Sequence, residues 1–195
     1  MSDDRVVDDG AVGLAGEDAS APSGEAAVLV AVQSRLATPP VLKVATAMSH
    51  FGEHAQGWLG LSILGAVLQP RRRKDWLMVG IGAVGAHAAA ILIKLVVRRT
   101  RPHHPAVAIN VATPSALSFP SAHATSSTAA AMLLCRATRS PLALVIVPAM
   151  ALSRLVLGVH YPTDVLAGMG VGAAVAGTTT RLARRAGQPR GSAHE

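Results

Sequence analysis

Long apolar stretches broken by short polar clusters dominate this chain, and their length and periodicity predict helices rather than strands. Apolar residues run almost without a charge through about 54–68 and again through 76–97. Three further stretches, at about 121–134, 142–157 and 164–182, follow the same pattern. Each reads as a membrane-spanning helix, although several fall short of the roughly twenty residues a span needs. Short spans suggest a site recessed at the interface, or helix ends continued by polar turns. Residues 25–49 are less apolar and are broken by Pro39-Pro40, with Arg35 and Lys43 spaced as on polar faces. Two short amphipathic helices lying in the membrane interface fit that pattern. The expected fold class is therefore all-α, a multi-pass transmembrane helical bundle with short N-terminal interfacial helices.

Composition sharpens this picture. Half of the 195 residues are hydrophobic and only 15% are charged, with a mean hydropathy of +0.39. That is too apolar for an ordinary soluble domain of this length. Ala, Val, Leu and Gly carry the hydrophobicity, as in helices that pack closely in lipid. The first 25 residues hold seven acidic side chains against one arginine, which is neither a signal peptide nor a foldable core. The expected organisation is a disordered acidic tail at 1–24, a membrane-embedded domain at 25–186 and a disordered tail at 187–195. Cys135 is the sole cysteine, so no intrachain disulfide or cysteine metal cluster is possible, and a buried inert thiol is expected.

The net charge of +7 does not point to nucleic acid, because the basic residues lie between or beside apolar spans. Arg71, Arg72, Arg73 and Lys74 form one loop, Arg136 and Arg139 mark another, and Arg181, Arg184, Arg185 and Arg190 follow the last span. The positive-inside rule puts these loops in the cytoplasm and the remaining polar clusters on the extracytoplasmic side of the plasma membrane.

Those clusters carry the chemistry. Lys94, Arg101 and Arg154 are three fixed cations, and a transferring phosphoryl group spreads negative charge over three oxygens that such cations stabilise. Arginine's planar fork suits two phosphate oxygens, and lysine adds a compact charge. Pro120-Ser121-Ala122-His123 reads as a helix N-terminus, so Ser121 and the neighbouring amides, Ala122 included, are candidates for an anion cradle. Ser121 equally suits a plain capping role. His160 lies in a turn, with Asp164 four residues on in the first turn of the next helix. Asp164 can take the proton of one imidazole nitrogen and leave the other to attack phosphorus. His123 is the natural general acid for the leaving oxygen. Taken singly, either histidine is more simply a hydrogen-bonded structural residue.

The other polar residues read less sharply. Arg98 and Arg99 suit snorkelling to lipid headgroups. His103 and His104 shape the loop after Pro102 or touch a headgroup, His50 and His54 flank the first clear span, and His87 is expected to be hydrogen-bonded within the bundle. A metal held by His123, His160 and Asp164 is the chief chemical rival. Three surrounding cations argue against it, because they repel a metal and already do its electrostatic work.

Together these clusters resemble the three signature motifs of the type 2 phosphatidic acid phosphatase superfamily. The first asks for Lys, six residues and Arg-Pro, as in Lys94, Arg101 and Pro102. The second is Pro-Ser-Gly-His; Pro120, Ser121 and His123 match, while Ala122 replaces the glycine. The third asks for Ser-Arg, five residues, His, three residues and Asp, as in Ser153, Arg154, His160 and Asp164. The resemblance covers roughly 25–185. It implies an all-helical bundle, a phosphohistidine intermediate on His160, protonation by His123 and no metal or other cofactor. Segments 24–35, 48–54, 98–105 and 118–125 are further similar to a branch that acts on a polyprenyl-linked phosphoribose in actinobacterial cell-wall synthesis.

The expected partners are thus the bilayer and either a polyprenyl-linked phosphosugar or a polyprenyl diphosphate lipid, which the motif residues alone do not separate. A non-catalytic membrane scaffold would be expected to have lost the motif histidines or the aspartate, and a transporter would be expected to hold its polar groups near mid-membrane. The Gly80, Gly82 and Gly85 cluster permits close helix contact, so an oligomer is possible.

Overall fold

Proline sets several helix boundaries, because its fixed φ and missing N–H suit the first helical turn. Pro39 opens one helix and Pro162 another. The computed structural model describes residues 21–186; of the expected tails at 1–24 and 187–195, residues 1–20 and 187–195 lie outside the described residues, while Gly24 already opens a helix. Among the described residues there are seven α-helices. These are α1 (Gly24–Leu36), α2 (Pro39–Gly52), α3 (Gln56–Leu68), α4 (Arg73–Val97), α5 (Ala122–Thr138), α6 (Ile146–Val156) and α7 (Pro162–Ala186). The predicted pair of short N-terminal helices and five apolar helices is present.

One predicted span is shortened. The stretch at 142–157 opens as a 3-10 turn, Pro141–Val145, and becomes α-helical only at Ile146. Pro148 cannot donate to Leu144, and its ring crowds that carbonyl, so an α-helix cannot start earlier without strain. The segment Pro70–Val97 is 28 residues long with mean hydropathy 2.0, and among the described residues it alone is both long and apolar enough to cross a membrane by itself. Much of the outer surface is nevertheless apolar: Val96 is 83% exposed, and Val67 and Leu68 are each 69% exposed. Apolar side chains exposed in this number suit contact with lipid or with another apolar surface.

The core of the bundle is α5, packed between α4 and α7. Ala124 to Ala131 are all buried, which small side chains permit. Gly168 and Gly172 bring α7 onto α5: a methyl on Gly172 would sit 2.3 Å from the Thr125 carbonyl oxygen. The glycine cluster of α4 serves similar internal contacts. Side chains at Gly80 and Gly82 would strike Ser62 and Leu133, and only Gly85 faces open space. Trp58 joins α3 to α5 through Nε1, which donates to Ser127 Oγ at 3.2 Å. Cys135 is half-buried rather than buried.

Two contacts define the ends of the bundle. Arg72 Nη1 donates to the Ala137 carbonyl at 2.9 Å, so the Arg-rich α3–α4 turn and the C-terminal end of α5 lie together. At the other end, the long connection from Arg98 to Ser121 folds back on itself, with Ser118 N–H bonded to the Arg99 carbonyl at 2.7 Å and Arg101 N–H to Ala116 at 3.2 Å.

Candidate active site

The motif residues sit at helix ends or in the loops beside them. Lys94 is in the last turn of α4, Ser121 is the N-cap of α5, Arg154 is in the last turn of α6, and Asp164 is in the first turn of α7. Because the helices alternate in direction, these termini converge. Lys94, Arg101, Ala122, His123, Arg154 and His160 line one cavity of about 720 Å³.

The three cations are held by neutral acceptors. Lys94 Nζ donates to the carbonyls of Leu117 and Ser118 at 3.1 and 2.9 Å, which leaves one of its three donors for the cavity. Arg101 is fixed by the Ser115 and Val159 carbonyls, each at 2.7 Å. Arg154, 1% exposed, donates through Nε to Ser153 Oγ at 3.1 Å and through Nη1 to Ser49 Oγ at 3.0 Å. A buried cation without a carboxylate partner attracts an anion strongly, and two of them, Lys94 and Arg154, with the partly buried Arg101 on the same cavity form a site for a group of high negative charge.

The tautomers of both histidines follow from their neighbours. Arg101 Nη1 lies 3.2 Å from His160 Nε2. A guanidinium can only donate, so Nε2 presents its lone pair and the proton sits on Nδ1. Burial, aided by the Arg101 and Lys94 charges and opposed by Asp164, pushes His160 down to about 3; the ring is therefore uncharged at neutral pH. His123 Nε2 lies 2.9 Å from the Ser49 carbonyl oxygen, which can only accept, so this nitrogen carries a proton. Gly52 lets α2 come this close: a methyl there would stand 2.7 Å from His123 Cδ2.

The expected His160–Asp164 bond is looser than its i,i+4 spacing suggests. Asp164 Oδ2 is 3.7 Å from His160 Nδ1, beyond hydrogen-bond range, and Nδ1 is buried without a partner. Oδ2 instead accepts the Tyr161 N–H at 2.8 Å, the back-reaching half of a capping box. Ser121 is likewise engaged locally. It is fully buried, its Oγ caps Ala124 N–H at 3.4 Å, and Ala122 and His123 line the cavity where Ser121 does not.

Two expectations are corrected. Arg99 does not snorkel: its Nη1 donates to Asp164 Oδ1 at 3.0 Å and its Nη2 to Glu25 Oε2. The cause is Arg98, which ends α4 in the left-handed region at φ 54° and turns the chain back across the bundle. His87 is not hydrogen-bonded through Nδ1, which is buried and unpartnered; the residue lines the cavity with Glu53 and His54, its ring 5.8 Å from that of His54. Of the loop histidines, His104 accepts the Ala106 N–H at 3.1 Å, and neither it nor His103 lines the cavity.

Sequence reasoning missed Ser49, which holds both His123 and Arg154, and the Glu25–Arg99 pair. No local motif marks either, since their partners are 74 to 105 residues away.

Known proteins are similar to this chain in fold and in sequence. The fold resembles the crystal structure of a transmembrane PAP2-type phosphatidylglycerolphosphate phosphatase from Bacillus subtilis, with a TM-score of 0.67 over 84% of this chain and 88% of that one, at 22% identity. The decaprenylphosphoryl-5-phosphoribose phosphatase of Mycobacterium tuberculosis is 63% identical over 156 residues, which is 80% of this chain and 88% of the relative. That of Mycolicibacterium smegmatis is 64% identical over 149 residues, 76% and 83% respectively. The PAP2 superfamily model matches residues 73–188. This chain belongs to the PAP2 superfamily.

Proposed function

We propose that this protein is a multi-pass membrane phosphatase that hydrolyses the 5-phosphate of a polyprenyl-linked phosphoribose. The observation that carries the reaction type is the single cavity shared by three cations and two histidines, one of which, His160, presents an unprotonated Nε2. In this reading Lys94, Arg101 and Arg154 bind the phosphate oxygens, together with amides at the start of α5. His160 Nε2 attacks phosphorus, Arg101 transferring its hydrogen bond from the ring to a phosphate oxygen. The proton on Nδ1 faces Asp164, and the 3.7 Å gap closes as positive charge develops on the ring. His123 acts in this reading as an imidazolium: its Nε2–H stays on the Ser49 carbonyl while Nδ1–H is given to the departing sugar oxygen, and the neutral Nδ1 then takes a proton from the water that releases phosphate from the phosphohistidine.

The substrate class rests on the mycobacterial relatives, whose printed activity is on decaprenylphosphoryl-5-phosphoribose. The cavity agrees with a headgroup bearing hydroxyls, since Glu53, His54, His87, Thr113 and Ser115 also line it. Purified protein in detergent, with a chelator present, should release phosphate from decaprenylphosphoryl-5-phosphoribose at least about tenfold faster than from decaprenyl diphosphate. One contact set per hydroxyl is enough for such a ratio. Equal rates, or preference for the diphosphate, would contradict the assignment.

The site is read as extracytoplasmic. The Arg-rich turns gather at the end of the bundle marked by the Arg72–Ala137 contact, and the cavity lies toward the other. A cysteine placed at His104 should be labelled by an impermeant maleimide in intact cells; protection until the membrane is broken would reverse the orientation.

A further inference from the structure

A carboxylate outside the cavity has two helices and an arginine converging on it. Glu25, in the first turn of α1, receives Arg99 Nη2 on Oε2. Its other oxygen accepts the Thr163 N–H at 3.0 Å and the Thr163 hydroxyl at 2.7 Å. The ring is closed by Arg99 Nη1, which donates to Thr163 Oγ1 at 2.7 Å and to Asp164 Oδ1 at 3.0 Å. The guanidinium also lies over the Tyr161 ring, 4.1 Å from its centroid. Asp164, fully buried, thus has one oxygen on Arg99 and the other on the Tyr161 amide, facing His160.

We infer that Glu25 is a positioning residue: by clamping Arg99 against Thr163, it fixes the Asp164 carboxylate that orients His160. The inference rests on the phosphatase reading above. Arg99 reaches Asp164 and Thr163 with the same nitrogen, Nη1, while 31% of its side chain is exposed, so Glu25 is what holds its other nitrogen and sets the rotation of the fork. Glu25 caps the start of α7 in the same act, using a carboxylate at a helix N-terminus where the dipole favours it. A half-exposed ion pair contributes little to stability. Its consequence lies in geometry, because misplacing a group by about an ångström costs far more in rate than in folding. The family model begins at residue 73, so the clamp is supplied by a helix outside the matched region. Lysine at position 99 could not serve, since a single ammonium cannot bond Glu25, Thr163 and Asp164 as a planar fork does.

The test uses the full-length protein in detergent, with Glu25→Gln, Arg99→Lys and the double variant, and decaprenylphosphoryl-5-phosphoribose as substrate. Glu25 does not line the cavity, so Glu25→Gln should lower kcat by about tenfold with KM changed less than about twofold. Because Glu25 acts through Arg99, the double variant should be no slower than the slower single one. An unchanged kcat for Glu25→Gln beside an active wild type overturns the inference alone. So does multiplication of the two effects, or a loss matched by loss of the folded species on size exclusion. A wild-type protein that releases no phosphate contradicts the phosphatase reading, and the inference with it.

Discussion

His160→Ala is expected to lower kcat by at least about 10⁴-fold, the scale seen when a nucleophile is removed from a covalent mechanism. The fold should survive the change. His160 is 3% exposed, but its Nδ1 makes no hydrogen bond, and Arg101 keeps its bonds to Ser115 and Val159 without the ring. The loss is therefore chemical rather than structural. Steady-state phosphate release, with the melting temperature measured in parallel, checks it. Turnover within about a hundredfold of the wild type would mean that the three cations alone carry the reaction and that His160 is not the nucleophile.

The second large effect is at Arg154. Its side chain is the most buried of the three cations, it lines the cavity, and it has no carboxylate partner. Arg154→Ala should reduce kcat/KM by about 10³-fold, equivalent to about 4 kcal/mol of lost transition-state stabilisation. Arg154→Lys should recover only part of this. A lysine restores the charge but cannot hold Ser49 Oγ, Ser153 Oγ and a phosphate oxygen together. Initial-rate kinetics on both variants test the point. Equal activity of the lysine variant and the wild type would reduce Arg154 to a simple point charge.

The loss at Arg154 has a component through His123. Ser49 takes Arg154 on its hydroxyl and His123 on its carbonyl, so both residues depend on where the end of α2 lies. That end is placed by Gly52 and by the left-handed turn at His54 and Ala55, with φ of 50° and 59°. The site is thus built partly by α2, outside the region the family model covers.

The chain declared its helices and its cations plainly, for different reasons. A run such as 76–97 has no alternative to a helix in an apolar environment, because every backbone group must be paired within it. That Lys94, Arg101 and His160 would meet was legible because they stand at or beside helix ends that alternate along the chain, and the structure places all three on one cavity. What escaped were contacts between residues far apart in sequence. Arg99 sits beside Arg98 at the end of an apolar helix, where snorkelling is the local expectation; only the left-handed turn at Arg98 sends it to Asp164 and Glu25. Ser49 is an unremarkable polar residue on an interfacial helix until the fold places α6 and α5 against it. Asp164 shows the converse, since its spacing to His160 was legible but its engagement with the Tyr161 amide was not.

The most direct measurement is of the covalent intermediate itself. Wild-type protein mixed with substrate carrying a radiolabelled 5-phosphate, then quenched in denaturant within milliseconds, should retain label that survives alkali, is lost in acid, and maps to the peptide containing His160. The His160→Ala protein should retain none. Label absent from the wild type while phosphate is still released, or label found on another residue, would contradict transfer through His160.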